Sequence, residues 1–179
     1  SYCFETDFAG TSVTLTGIVT HVKPGSYPNF FMQDSSSESL WSGIYVYDTS
    51  VSPSVGDELT VTGTVNEYYS LTQLIDVSAY EVLSQGNIIA PLSIDASDLG
   101  IECSLSGEQY ESMLVQIQDV TFESVDQYGN WTVSDGLNGT TMIDDYFFDG
   151  NFPSISVGDS FDCVSGVVSY SYSEFKIYP

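Results

Sequence analysis

Ser54-Val55-Gly56-Asp57-Glu58-Leu59-Thr60-Val61-Thr62-Gly63-Thr64-Val65 sets the architecture of this chain. Gly56-Asp57 reads as a turn, because Gly accepts positive φ and Asp bonds its own backbone. Beyond it, Leu59, Val61 and Val65 alternate with Glu58, Thr60, Thr62 and Thr64. That is the period-2 pattern of a strand with one buried and one wet face. Gly63 interrupts the inward series, where a strand bends or admits another backbone. The pattern returns at Ser156-Val157-Gly158-Asp159-Ser160-Phe161-Asp162-Cys163-Val164-Ser165-Gly166-Val167. A spacing of about 100 residues is domain-sized rather than solenoid-sized. The chain therefore reads as two copies of one β module, residues 1–86 and 87–179.

On either side of the first copy lie the other elements of its module. Residues 13–20 alternate strictly and predict a first strand, with Gly17 a second candidate bend. Residues 21–29 carry Pro24-Gly25 and Pro28 and predict a loop holding His21 and Lys23. Residues 30–34, 43–47, 71–77 and 80–83 predict the remaining strands. A boundary follows at 84–91, then one helical turn at 93–99 with Ser93 or Asp95 as its N-cap. In the second copy, residues 113–117 answer 13–17 and residues 131–135 answer 30–34. Residues 141–144 and 174–178 predict its remaining strands. Short strands at this spacing, punctuated by Gly, Pro, Ser and Asp, predict an all-β chain of two barrels, with two Ig-like β-sandwiches as the alternative.

Composition narrows the class. Among 179 residues, 42% are hydrophobic and 14% aromatic, enough for packed cores. Against 25 Asp and Glu stand two cations, Lys23 and Lys176, for a formal charge of -23. Such a chain repels phosphate backbones and anionic lipid and invites cations, unless the charge serves solubility alone. No apolar run is long enough to cross a bilayer, and no leader pattern is present, so the chain reads as a mature or excised segment. Three cysteines, abundant Ser, Thr and Tyr, and few lysines point to an extracellular setting, secreted or on a cell surface.

The order of Val13 to Val19, Phe30 to Asp34, Gly43 to Tyr47 and Val55 to Val65 resembles the OB-fold modules of secreted bacterial nucleases and bacterial surface proteins. Glu108-Gln109-Tyr110-Glu111-Ser112-Met113-Leu114-Val115 resembles that family's approach to its next module, with Ser112 where Gly is usual. These are scaffold motifs, specific for fold and poor for function. The resemblance implies tandem five-stranded Greek-key barrels, non-catalytic, assembled with or attached to something else.

Chemistry is sparse. An OB groove for nucleic acid needs cations tracking the phosphates and aromatic platforms for the bases. Phe30, Phe31, Tyr45, Tyr47, Tyr68 and Tyr69 offer rings, or simply barrel packing, and the cations are missing. The one imidazole, His21, has no marked nucleophile, so no enzyme is expected. Calcium takes carboxylates and carbonyls from loops. Asp144, Asp145, Asp149 and Asn151 concentrate such groups, with weaker clusters at Asp34 with Glu38 and at Asp95, Asp98 and Glu102. Cys163 aligns with the inward Val61, so it is expected to be buried and to pair with Cys103. Cys3 is then left over: a free thiol, an alternative partner of Cys103, or a partner for a cysteine of another chain or copy. Asn130-Trp131-Thr132 and Asn138-Gly139-Thr140 fit the glycosylation sequon.

The expected function is a non-catalytic extracellular structural module, one calcium-stabilised unit of a cell-surface or filamentous assembly. Copies would join head-to-tail through the terminal apolar residues Tyr2, Phe4, Phe8, Phe175, Ile177 and Tyr178. The rival reading is an accessory substrate-binding module of a secreted hydrolase or nuclease. Charge speaks against nucleic acid as its ligand, and exposed Tyr and Trp leave glycan open.

Overall fold

The computed structural model describes residues 3–23, 29–35, 40–48, 50–137, 139–148 and 152–179. The first module is a ring of five strands: β1 (Ser12–Val22), β2 (Phe30–Gln33), β3 (Gly43–Val46), β4 (Glu58–Tyr68) and β5 (Leu71–Ser84). They close in the order β1-β2-β3-β5-β4, with β3 parallel to β5 and the other pairs antiparallel.

Between the modules come a short strand β6 (Leu92–Ser93) and two single-turn helices, α1 (Ala96–Leu99) and α2 (Leu105–Glu108). The second module follows as β7 (Leu114–Val125), β8 (Trp131–Ser134), β9 (Thr140–Ile143), β10 (Ser160–Ser171) and β11 (Glu174–Tyr178). Its ring β7-β8-β9-β11-β10 closes through the β10–β7 pairing, and β6 adds to β7 in parallel. Both rings are five-stranded barrels of the OB type. Two barrels are observed, not two sandwiches.

The repeated Val-Gly-Asp turn works as its sequence says. Gly56 and Gly158 adopt φ of 89° and 95°, a conformation that favours glycine. Asp57 Oδ2 accepts from Ser54 N at 2.9 Å, and Asp159 Oδ2 from Ser156 N at 2.8 Å. Each turn then plugs into a bulge of its barrel's first strand. Gly56 N donates to Val19 O at 2.9 Å, and Val19 N donates to Asp57 O at 2.8 Å. Likewise Gly158 N donates to Phe122 O at 2.7 Å, and Phe122 N donates to Asp159 O at 2.9 Å. The motif is a clasp between a turn and a bulge, made twice.

Each barrel has its own core. The first gathers Val19, Phe30, Met32, Val46, Leu59, Val61 and Leu74; the second gathers Met113, Val115, Ile117, Phe122, Trp131, Val133 and Phe175. A third cluster joins them, with Phe31, Tyr45 and Leu71 from the first barrel meeting Phe147, Val167 and Tyr178 from the second. The cap of α1 is Asp95, in a capping box with Asp98. Ser112 has φ 63°, in the left-handed region that favours glycine.

Three local expectations change. Residues 71–77 and 80–83 belong to one 14-residue strand, β5; a register shift opposite Gly63 and a positive φ at Asp76 bend it without breaking it. His21 lies in β1, half-buried with its ring 4.3 Å from that of Phe147, instead of in a loop. The Pro24-Gly25 and Pro28 part of that loop lies outside the described residues. Cys163 is exposed, although it aligns with the buried Val61. The cause is strand length. Val61 is paired on β5 by Tyr80, whereas β11 has five residues and pairs β10 only from Val167 onward.

Candidate ligand-binding cleft

The barrels are joined by polar contacts as well as by the shared cluster. Leu114 N donates to Gln33 Oε1, Thr72 N to Glu111 Oε1 and Trp41 N to Gln109 O, each at 2.9 Å. A Cβ added to Gly43 would come within 2.3 Å of the Ser112 carbonyl carbon, so β3 meets the second module at backbone distance. Cys3 reaches across to Cys103 in a disulfide with a Cα–Cα distance of 5.6 Å, while its N–H donates to Ser70 Oγ at 2.9 Å.

Beside this joint opens a cleft of about 1160 Å³. The first barrel brings Phe31, Tyr45, Tyr47 and the β4–β5 turn with Tyr68 and Tyr69; the second brings Tyr146, Tyr170, Tyr178 and the β10–β11 turn with Tyr172. Hydroxyls and an amide are interspersed, from Ser70, Ser169, Ser171, Ser173 and Gln73.

The two turns share an unusual backbone. Tyr69 and Ser70 have φ of 52° and 67°; Tyr172 and Ser173 have φ of 55° and 70°. Two-residue hairpin turns with both central φ positive normally take Asn-Gly or similar residues. A bulky side chain there costs of order 1–3 kcal/mol, and such strain collects at ligand sites. Both barrels accept it to project a ring at the same cleft, Tyr69 at 72% exposure and Tyr172 at 93%.

The lining is close to neutral. Burial pushes the Tyr45 phenol up, and it pushes Tyr178 up to about 12, so both stay uncharged near neutrality. The carboxylate in the wall, Asp144, is pushed up by burial, and Lys176 Nζ lies 3.5 Å from its Oδ2. Lys176 also lies 5.7 Å from the Tyr172 ring centroid, and Lys23 lies 3.9 Å from that of Tyr146. Both lysines of the chain are thus spent on cleft residues.

The expected sites fare unevenly. The Cys103–Cys163 disulfide is corrected: Cys103 joins Cys3, and Cys163 is an exposed free thiol on β10. The terminal docking surface is corrected at its C-terminal end. Phe175, Ile177 and Tyr178 are 0%, 0% and 6% exposed, because β11 closes the second barrel and Tyr178 fills the joint. Phe4 and Phe8 are exposed, and Tyr2 lies outside the described residues. The segment carrying them is pinned along the first barrel by Gly10 N to Val65 O at 2.8 Å and Val65 N to Thr11 O at 2.9 Å.

Of the expected calcium ligands, Asp144 pairs with Lys176, Asp145 is half-buried, and Asp149 and Asn151 lie outside the described residues. Among the described residues no group of three or more His, Cys, Asp or Glu converges in metal-binding geometry. Asp95 and Asp98 are engaged in the α1 cap, and Glu38, the expected companion of Asp34, lies outside the described residues. In the first sequon, Asn130 is buried and its Nδ2 donates to Asp126 Oδ2 at 2.8 Å; Asn138 lies outside the described residues. The second barrel's half of the cleft, above all Tyr172 and Ser173, goes unread in the sequence. Its signal is the Tyr-Ser pair that recurs at both hairpin turns.

No protein-family model matches the chain, and no curated protein matches it. Among solved structures, the crystal structure of the p204 HINb domain superposes with a TM-score of 0.48 at 6% identity, covering 97% of this chain and 95% of that one. At that score and identity the likeness decides nothing about a ligand. No helix among the described residues is long and apolar enough to cross a membrane.

Proposed function

We propose that the protein is a non-catalytic binding module of an extracellular system, and that the cleft between its barrels takes a neutral glycan chain. The observation that carries this is the pair of strained turns, one per barrel, that present Tyr69 and Tyr172 to one cleft. Flat rings stack on the apolar faces of sugar rings, and the interspersed serines and Gln73 suit sugar hydroxyls. Among the described residues the lining has no free cation to hold a phosphate or uronate, and its carboxylate is paired with Lys176. A disulfide between residues 100 apart suits an oxidising compartment. Head-to-tail assembly loses support, since the C-terminal apolar residues are consumed within the molecule.

The test is native affinity electrophoresis in gels containing neutral α-glucan, β-glucan or galactomannan, with oligo-dT as a competing ligand. At least one glycan should retard the wild type. Tyr69→Gly and Tyr172→Gly should each bind roughly tenfold more weakly, for about 1.4 kcal/mol of lost stacking. Glycine also relieves the left-handed backbone, so both variants should melt no lower than wild type. Retardation by no glycan, by oligo-dT instead, or equally in the glycine variants defeats the reading.

A further inference from the structure

The joint behind the cleft holds three carboxylates. Glu67 lies near the end of β4, Glu108 ends α2, and Glu111 follows in the next turn. Glu108 and Glu111 are 5% and 8% exposed. Thr72, at the start of β5, sits between two of them. Its N–H donates to Glu111 Oε1 at 2.9 Å, and its hydroxyl donates to Glu67 Oε1 at 2.8 Å. Thr6 N donates to the same Glu67 oxygen at 2.9 Å. The other oxygens, Glu67 Oε2 and Glu111 Oε2, are buried and find no hydrogen-bond partner among the described residues. Glu108 Oε2 lies 3.7 Å from the Cys3 sulfur.

Among the described residues the surrounding elements supply no free positive charge. The N-terminal segment brings Cys3 and Thr6, β5 brings Thr72, and β10 brings the Tyr170 phenol, which feels Glu108, Glu111 and Glu174. Lys176 pairs with Asp144 and Glu174, Lys23 sits on Tyr146, and His21 packs on Phe147. Carboxylates crowded together in a buried site cannot all ionise without repulsion, and a retained proton gives the site a donor where it otherwise has acceptors.

We propose that Glu108 and Glu111, packed beside Glu67, form a proton-operated latch between the barrels. With protons held, the joint is closed and the β4–β5 turn presents Tyr69 to the cleft. With Glu108 and Glu111 ionised, they repel each other and Glu67 across the joint and loosen that turn. That the latch regulates binding rests on the cleft being the ligand site.

The direction follows from the groups themselves. Burial, then the neighbouring Glu67, pushes Glu108 up to about 7; burial, then Glu108, pushes Glu111 well above the usual carboxylate range. Raised carboxyl values mean that the closed state binds protons more tightly than the open one. Its extra stability is complete below the ordinary value of 4.5 and is lost as pH rises through about 7. Burial lowers His21 from its ordinary 6.5, so the imidazole works in the opposite direction at acid pH and is silent above it.

The test uses the full chain without glycan, between about pH 5.5 and about pH 8, above the range where ordinary surface carboxylates titrate. The wild-type Tm should fall by roughly 5 °C across that window. Amide exchange over residues 68–73, corrected for its intrinsic pH dependence, should rise roughly tenfold. The double variant Glu108→Gln with Glu111→Gln should flatten both responses, and the exposed control Glu123→Gln should leave them as in wild type. Should the double variant not fold, Glu108→Gln alone should flatten the responses in part. A flat wild-type response, or an unchanged response in the Gln variants, overturns the latch. Absence of glycan binding with the pH response intact defeats the cleft reading and leaves the latch standing.

Discussion

Asp57 and Asp159 hold equivalent turns in unequal surroundings. Asp57 is 5% exposed and accepts from Gln85 Nε2 at 3.0 Å as well as from Ser54 N, whereas Asp159 is exposed. Removing the buried carboxylate leaves both donors unpaired, while water can replace the exposed one. Asp57→Ala should therefore cost about 2–3 kcal/mol in denaturant melts and Asp159→Ala about 1 kcal/mol or less. Equal costs would show that burial does not separate the two turns. The cysteines offer a second check on single side chains. Native protein treated with an alkylating reagent should be modified at Cys163, and at Cys3 and Cys103 only after reduction.

Strand length separates the two barrels. β5 runs 14 residues and covers β4 along its whole length, while β11 stops after five. The glycine of β3 sets how closely the barrels approach. Gly43→Ala would drive a methyl into the Ser112 backbone, so it should lower stability by about 1–3 kcal/mol and increase exchange at the joint. Period-2 alternation and the Val-Gly-Asp turn are local signals, and the strands they mark are legible at β1, β4 and β11. The ends of β5 and the exposure of Cys163 are not, because they depend on how far a neighbouring strand extends. The cleft is harder still. Tyr47, Tyr68 and Tyr69 read equally as groove platforms or as packing residues, and nothing local tells the two apart until the second barrel places Tyr172 at the same cleft.

Across both barrels, the disulfide ties the N-terminal segment to the second module while hydrogen bonds hold that segment to the first. Closing a loop of 100 residues stabilises by about 4–5 kcal/mol in the chain-entropy model. Cys103→Ser should lose an amount of that order, measured by denaturant melts against the oxidised wild type. A loss under about 1 kcal/mol would mean that the unfolded chain stays compact there without the bond.

The same bond redirects tension. A pull applied between Cys3 and Pro179 passes directly from Cys3 to Cys103 and leaves the first barrel outside the path of force. In an oxidised molecule only residues 104–179 can lengthen, by at most about 270 Å. Reduction would release the enclosed residues and add about 360 Å. Single-molecule stretching should therefore show rupture of the first barrel only in the presence of a reductant. One covalent link makes that barrel mechanically silent.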